Sequence, residues 1–316
     1  MPKAARLFGL WTEEGGCLAK VAPSGLQALY IVGNVQISTQ ALCELLKAGV
    51  SVVYLSRNGR LLGAMRSPLS RNILLRRSQY AREANSEFQL KMAKAVIHAK
   101  ILNCVTLLKT ARSSGLATDE LRSETASKLV EFAKSLQNVK SSESLLGVEG
   151  SAAKCYWATY GKMFRDDAIR MKGRALRPPP DPVNAALSFG YVLLTSKFTS
   201  LIEGYGFDPY LGFYHKPAYG RPSLALDLLE PFRPYIVDRF VKRLFNLRIL
   251  RTDDFEPHDE GGVRMSQEAL RTFFYHWDKN LTATDATDRF NTLADSLRKV
   301  FADEADEPHI FTWDGR

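Results

Sequence analysis

The 316-residue chain carries only four cysteines, Cys17, Cys43, Cys104 and Cys155, which stand far apart and form no C-x-x-C pair. That spacing excludes a zinc finger or a disulfide framework and leaves them as small buried hydrophobes. The opening MPKAARLFGLW lacks the apolar run of a signal peptide, and no stretch is expected to span a bilayer, so the chain is expected in the cytoplasm and away from membranes. Glycines flank Glu149 in GVEG, but the motif is too short for either kind of nucleotide-binding loop. The most informative lack is of acid. From Arg57 to Arg82 there is neither Asp nor Glu, while Arg57, Arg60, Arg66, Arg71, Arg76, Arg77 and Arg82 all fall there.

What is present describes an ordinary globular protein long enough for two domains, with 45% hydrophobic and 24% charged residues. A net charge of +9 and a pI near 9.3 fit a polyanionic partner. Arginines without intervening acids suit phosphate, because the guanidinium fork meets phosphate oxygens two at a time. The C-terminus is instead acidic, with Asp303, Glu304, Asp306 and Glu307.

Along the first 65 or so residues, short apolar stretches alternate with turn signals and read as strands. Ser38 is placed to cap a short helix, and Asn58-Gly59 predicts a hairpin between SVVYLS and RLLGAM. From Ser70 apolar residues recur at helical spacing through Leu108, predicting one long helix or two nearly continuous ones. A further helix is expected over Leu121–Leu136, a polar break at Ser141 to Ser144, and a helix from Asp181 or Pro182 to about Glu203. Glu149 reads as an acid at a helix N-terminus, near the positive end of the macrodipole. Tyr156, Trp157 and Tyr160 either pack in a core or stack on nucleic acid. TDDFEPHDEGG reads as an acidic loop, and the chain from Phe301 onward as a partly disordered tail. The fold class expected is α+β, a small β-rich, sandwich-like domain over residues 1–69 followed by an α-helical domain over 70–316.

The stretch LGFYHKPAYGRPSLALDLLEPFRP gathers His215, Lys216, Arg221, Asp227, Glu230 and Arg233 within two dozen residues. With Ser223 capping a helix after Pro222, the three-residue spacing of Asp227 and Glu230 puts both carboxylates on one face, within reach of one ion. Oxygen ligands suit Mg²⁺, and the imidazole of His215 adds a preference for Mn²⁺. The competing reading pairs the two acids with Arg221 and Arg233 on a solvated helix. Pro231 and Pro234 are expected to break or kink that helix.

Three motifs, GVEGSAAKCYW, RPPPDPVNAALSFGYVLL and GFDPYLGFYHKPAYGRPSLALDLLEPFRP, occur in the order found in the CRISPR-associated integrase family, and the chain closely resembles it over nearly its whole length. The resemblance implies a metal-dependent DNA endonuclease and integrase that inserts short duplexes as new spacers into a CRISPR array. It places Glu149, His215 and Glu230 as ligands of one Mg²⁺ or Mn²⁺, with Asp227 the adjacent catalytic acid. Many members have aspartate at the last ligand position, so Glu230 is a departure. The implied partners are double-stranded DNA, a second copy bound through the N-terminal domain, a dimer of a small ferredoxin-like CRISPR-associated protein, and a RecB-like trimming nuclease. Lys216, Arg221 and Arg233 then become candidates for transition-state charge, and Arg57, Arg60, Arg66, Arg76 and Arg77 for the DNA backbone. Removing Glu149, His215 or Glu230 is expected to abolish activity alike, with little change in stability. Two other classes use the same residues: a metal-dependent nuclease acting on branched DNA in repair, and a non-catalytic basic DNA-binding scaffold.

Overall fold

A computed structural model describes the whole chain except residues 1–7, 12–15, 24, 25, 27, 57–60, 67–71, 113, 114, 167, 168, 170, 176, 177, 259, 260 and 316. The chain divides into two units, Met1–Leu69 and Ser70–Arg316. In the first, β1 (Phe8–Trp11) pairs antiparallel with β2 (Cys17–Val21). A second sheet sets β3 (Ala28–Val32) parallel to β4 (Ser51–Leu55), and β4 antiparallel to β5 (Leu61–Met65). The hairpin expected between β4 and β5 is thus formed, although Asn58 and Gly59 lie outside the described residues. Parallel strands need a crossover, and α1 (Thr39–Lys47) supplies it, its first turn capped by Ser38 as the sequence predicts. Leu42 and Leu45 of α1 pack on Leu29, Ile31 and Val52, so one face of the sheet is closed by a helix.

The second unit is helical. The periodic stretch after residue 70 forms α2 (Ile73–Glu83) and α3 (Ser86–Thr110), separated where Asn85 stops one helix and caps the next through the N–H groups of Glu87 and Phe88. Helix α3 is apolar on most sides and therefore lies at the centre, packed by α4 (Asp119–Ser135) and α5 (Ser142–Tyr160). Ser141 caps α5, so the expected polar break is its N-terminus. Glu149 therefore sits mid-helix, not at a helix start. Its neighbours Gly147 and Gly150 are helical as well, and the macrodipole reading of Glu149 falls with them.

Asp181 caps α6 (Pro182–Tyr205), which ends at Gly206 with φ 99°. Among the described residues this is the one helix long and apolar enough to cross a membrane, contrary to the expectation that no stretch would be. Within its most apolar window 67% is buried inside the helical unit. α7 (Ser223–Leu229) begins after Pro222, but Ser223 is its first residue and caps nothing; its hydroxyl turns to the carbonyls of Lys216 and Arg221. α7 ends at Leu229, just ahead of Pro231, but Pro234 breaks nothing: it lies within a π-helical turn (Arg233–Asp238) that runs directly into α8 (Arg239–Asn246). The acidic loop is a hairpin of β6 (Phe255–Pro257) and β7 (Val263–Met265), followed by α9 (Gln267–Ala283) and α10 (Ala286–Phe301).

The expected loose tail is packed. Phe311 and Trp313 are buried, Phe311 stacks on Phe232 with ring centroids 4.7 Å apart, and Asn103 of α3 accepts the Trp313 N–H at 2.7 Å. Two of the tail's acids pair with bases of α2 and α3: Asp303 with Arg82 and Glu307 with Lys91.

Candidate active site

The loop between α6 and α7 is pinned at its start by Gln79 of α2. This fully buried side chain accepts the Asp208 N–H and donates to the carbonyls of Asp208 and Leu211, at 2.8 to 2.9 Å. At Gly212 the backbone then runs against Asp227 so closely that a Cβ would lie 2.5 Å from Asp227 Oδ2. Only glycine allows that approach. The next three N–H groups turn onto the carboxylate, Phe213 (2.5 Å) and Tyr214 (2.9 Å) to Oδ2 and His215 (2.9 Å) to Oδ1. His215 Nδ1 lies 2.7 Å from the same Oδ1. Asp227 is 2% exposed and its lone pairs are committed to residues 213–215. It therefore does not share an ion with Glu230 as the D-x-x-E spacing predicts. Its work is to anchor the loop and orient the imidazole. A carboxylate surrounded by donors acts as acceptor, so the neutral ring donates its Nδ1–H to Asp227 and leaves the lone pair on Nε2.

Glu230 lies just past α7, 4% exposed. Arg233 Nε is 3.0 Å from its Oε1, and Lys100 Nζ is 2.8 Å from its Oε2. The same ammonium lies 2.6 Å from Glu149 Oε1, so α3 places one cation between carboxylates delivered by α5 and by the end of α7. Burial alone would raise the Glu230 carboxyl, but Arg233, Lys100 and His215 outweigh it and hold it down at about 2. Burial would lower Lys100, yet Glu230 and Glu149 raise it above the ordinary lysine value. Glu230 is thus an ionised carboxylate and Lys100 an ammonium.

Behind this cluster lies a cavity of about 240 Å³ lined by Lys100, Glu149, Glu230, Arg233, Tyr191 and Asp238, among others. Asp238 accepts from Tyr156 (2.8 Å) and Tyr191 (2.5 Å), and Tyr160 donates to its carbonyl at 2.9 Å. These tyrosines are core residues, which decides between the two readings of the aromatic stretch in favour of packing. Burial pushes the Asp238 carboxyl up to about 6 against the opposing pull of the tyrosine hydroxyls, Arg233 and Arg174.

The donor chemistry suits a hard divalent ion. Glu230 Oε2 is buried and accepts no aligned hydrogen bond, because Lys100 approaches it off the hydrogen-bond direction; Glu149 and an oriented imidazole belong to the same helical unit. As the side chains stand, no three His, Cys, Asp or Glu groups among the described residues converge on one ion. Lys100 occupies the place between the two glutamates.

The other predicted contacts separate. Arg233 is Glu230's counter-ion and stacks on Tyr191 at 4.4 Å, so it is turned inward and does not offer itself to a DNA backbone. Arg221 bonds the Lys216 carbonyl and closes the histidine loop, and Lys216 is exposed on that loop. Arg76 and Arg77 lie on α2, Arg77 exposed; Arg66 follows β5 in the other unit; Arg57 and Arg60 lie outside the described residues. Sequence reasoning missed Lys100, Asn103 and Asp238. The signal for the first two is a lysine and an asparagine three apart within the apolar run of α3.

The family model described as CRISPR associated protein Cas1 matches residues 9–279. CRISPR-associated endonuclease Cas1 1 of Chlorobaculum tepidum is 39% identical over 251 residues, covering 78% of this chain and 73% of that protein. A CRISPR-associated exonuclease Cas4/endonuclease Cas1 fusion of Geobacter sulfurreducens is 37% identical over 85% of this chain, which spans 50% of the fusion. Among solved structures, a CAS1 protein from Thermotoga maritima superposes with a TM-score of 0.82 at 24% identity, over 96% of this chain and 94% of that one. A casposase bound to integration product gives 0.77 at 23% identity, over 95% and 86%. A chain of a Cas6-RT-Cas1–Cas2 complex gives 0.78 at 23%, over 96% of this chain and 33% of that one. At such identities the structures establish a shared fold.

Proposed function

The chain belongs to the CRISPR-associated Cas1 family, and on that footing we propose that it is a metal-dependent DNA endonuclease and integrase that joins short duplexes into a CRISPR array. The observation that carries this reading is the pair of carboxylates Glu149 and Glu230 held on one side-chain cation, Lys100, in the same unit as the Asp227-oriented His215. Glu149, Glu230 and His215 Nε2 would hold Mg²⁺ or Mn²⁺. When bound, such an ion polarises a scissile phosphate and lowers the pKa of an attacking 3′-OH. The chain's own part is placement. Asp227 keeps the imidazole in one tautomer and one orientation, Arg233 keeps Glu230 ionised, and Asn103 ties the segment after Glu230 to α3 by donating to the Pro231 carbonyl at 2.7 Å. A 1 Å misplacement of such groups costs about 100-fold in rate.

Double-stranded DNA is the substrate, a second copy meets the chain through residues 1–69, and a small ferredoxin-like CRISPR-associated protein completes the assembly. The Cas1–Cas2 complex of shared fold supports the small partner, and the Cas4/Cas1 fusion supports a trimming nuclease acting beside it. One observation favours the rival reading of a non-catalytic scaffold, namely the ion pairs that Lys100 and Arg233 already make with the two glutamates. Purified protein and its small partner, incubated with Mn²⁺, a repeat-bearing plasmid and short duplex DNA, should yield joined strands. Joining that is undiminished in excess EDTA overturns the metal-dependent mechanism, cleavage of branched DNA without joining supports the repair nuclease, and no reaction on either substrate supports the scaffold.

A further inference from the structure

Among the described residues Lys100 is the one cation in contact with both glutamates, and its geometry differs from that of its neighbour Arg233. Arg233 is held by its ring contact, the guanidinium stacked on Tyr191 at 4.4 Å with Nε 3.0 Å from Glu230 Oε1, and its planar head has less freedom to swing away. Lys100 reaches the site from α3 on a flexible four-carbon stem, and its side chain is 20% exposed, which leaves it a way out. The oxygen it neutralises, Glu230 Oε2, receives charge from it but no aligned hydrogen bond. Such a contact fixes the oxygen's position without filling its lone pair. One turn further along α3, Asn103 is bonded to the carbonyls of Pro231 and Phe311 and to the Trp313 N–H, so the helix itself is fixed and only the lysine side chain is free to leave.

Resting on the reading of Glu149 and Glu230 as ion ligands, we infer that Lys100 is their resident counter-ion, a positioning residue that holds the two carboxylates together while no divalent cation is bound and that the cation must displace. Without it, two like charges from separate elements face one another and drift apart. With it, the ligand pair stays assembled, and the affinity for the ion is lowered by the competition. A dication and an ammonium cannot share two carboxylates, since their repulsion at contact distance is large wherever solvent is scarce.

The test is a Mn²⁺ titration of the metal-free full-length protein, following the electron paramagnetic resonance signal of free Mn²⁺, beside a thermal melt. Lys100→Met should bind Mn²⁺ about tenfold more tightly than wild type, the size of one lost competing charge pair, while its metal-free melting temperature falls. Lys100→Arg keeps the charge and grips carboxylates with two parallel bonds, so it guards against a misfolded methionine variant and should bind Mn²⁺ more weakly than wild type. If wild type binds Mn²⁺, Glu230→Gln does not, and Lys100→Met or the folded arginine variant matches wild type, the inference is wrong and the ligand assignment stands. If none of the four proteins binds Mn²⁺, the ligand assignment falls and takes the inference with it.

Discussion

Asp227 grips His215 twice through one oxygen, Oδ1, which accepts the residue's backbone N–H at 2.9 Å and faces its ring Nδ1 at 2.7 Å. The acid is buried and the imidazole is partly open, with side-chain exposures of 2% and 26%. Their removal should therefore differ in kind. His215→Ala takes away a loop imidazole and should cost no more than about 1 kcal/mol. Asp227→Ala strands the N–H groups of Phe213, Tyr214 and His215 and should cost about 3 kcal/mol or more. Both should lose strand joining. Urea denaturation of the two variants measures the difference, and equal stabilities would show that Asp227 does not anchor the loop.

Glu230 should behave unlike Glu149, against the expectation from sequence that all three ligands are dispensable to the fold. Glu230→Ala leaves Arg233 buried without its carboxylate and halves the pairing of Lys100, a loss of about 3–5 kcal/mol for a buried ion pair broken on one side. Glu149 is 20% exposed and shares only Lys100, so Glu149→Ala should cost about 1 kcal/mol. Chemical denaturation compares them, with Glu230→Gln as the milder control. A Glu230→Ala protein as stable as Glu149→Ala would refute the buried ion-pair account.

Asp238 gives the stability a pH dependence of its own. Its folded carboxyl stands at about 6 against an ordinary 3.8, so the native state holds the proton more tightly than the unfolded chain does. That contribution is complete below pH 3.8 and lost as pH rises through 6, amounting to roughly 3 kcal/mol. Glu230 has the opposite sign: its stabilisation is complete above its ordinary 4.5 and is lost as pH falls toward 2. The unfolding free energy of wild type minus that of Asp238→Asn, taken at pH 4 and at pH 7, isolates the first effect and should shrink by roughly that amount at the higher pH. A difference independent of pH would remove Asp238 from the account.

Gly147 and Gly150 flank Glu149 within α5, and a Cβ on either would meet nothing within 4 Å. Each costs the helix about 0.5–1 kcal/mol relative to alanine, with no packing reason among the described residues. If DNA lies against this face of α5, Gly150→Ala should melt higher than wild type and join strands more slowly. A gain in melting temperature with unchanged joining would show that no substrate comes so close.

The sequence alone determined the elements, because their causes are local. The change from short strands to helical periodicity near residue 70, the caps at Ser38 and Asp181, and the strand pairing ahead of RLLGAM follow from side chains acting on their own backbone. The residues of the candidate site could be gathered from their motifs. Their division of labour could not. Asp227 and Glu230 stand three apart in sequence, yet one turns to the loop at 213–215 and the other to α3, a choice set by Gly212 letting the backbone approach and by Lys100 arriving from 130 residues away. Glu149 reads as a helix start because two glycines surround it, and it stands mid-helix because Ser141 caps the chain eight residues earlier. The tail reads as partly disordered because it is a terminus, and it is held because Phe311 and Trp313 find an apolar face and Asn103 satisfies their backbone. Burial and charge pairing between distant segments are properties of three-dimensional proximity, and only the tertiary structure decides them.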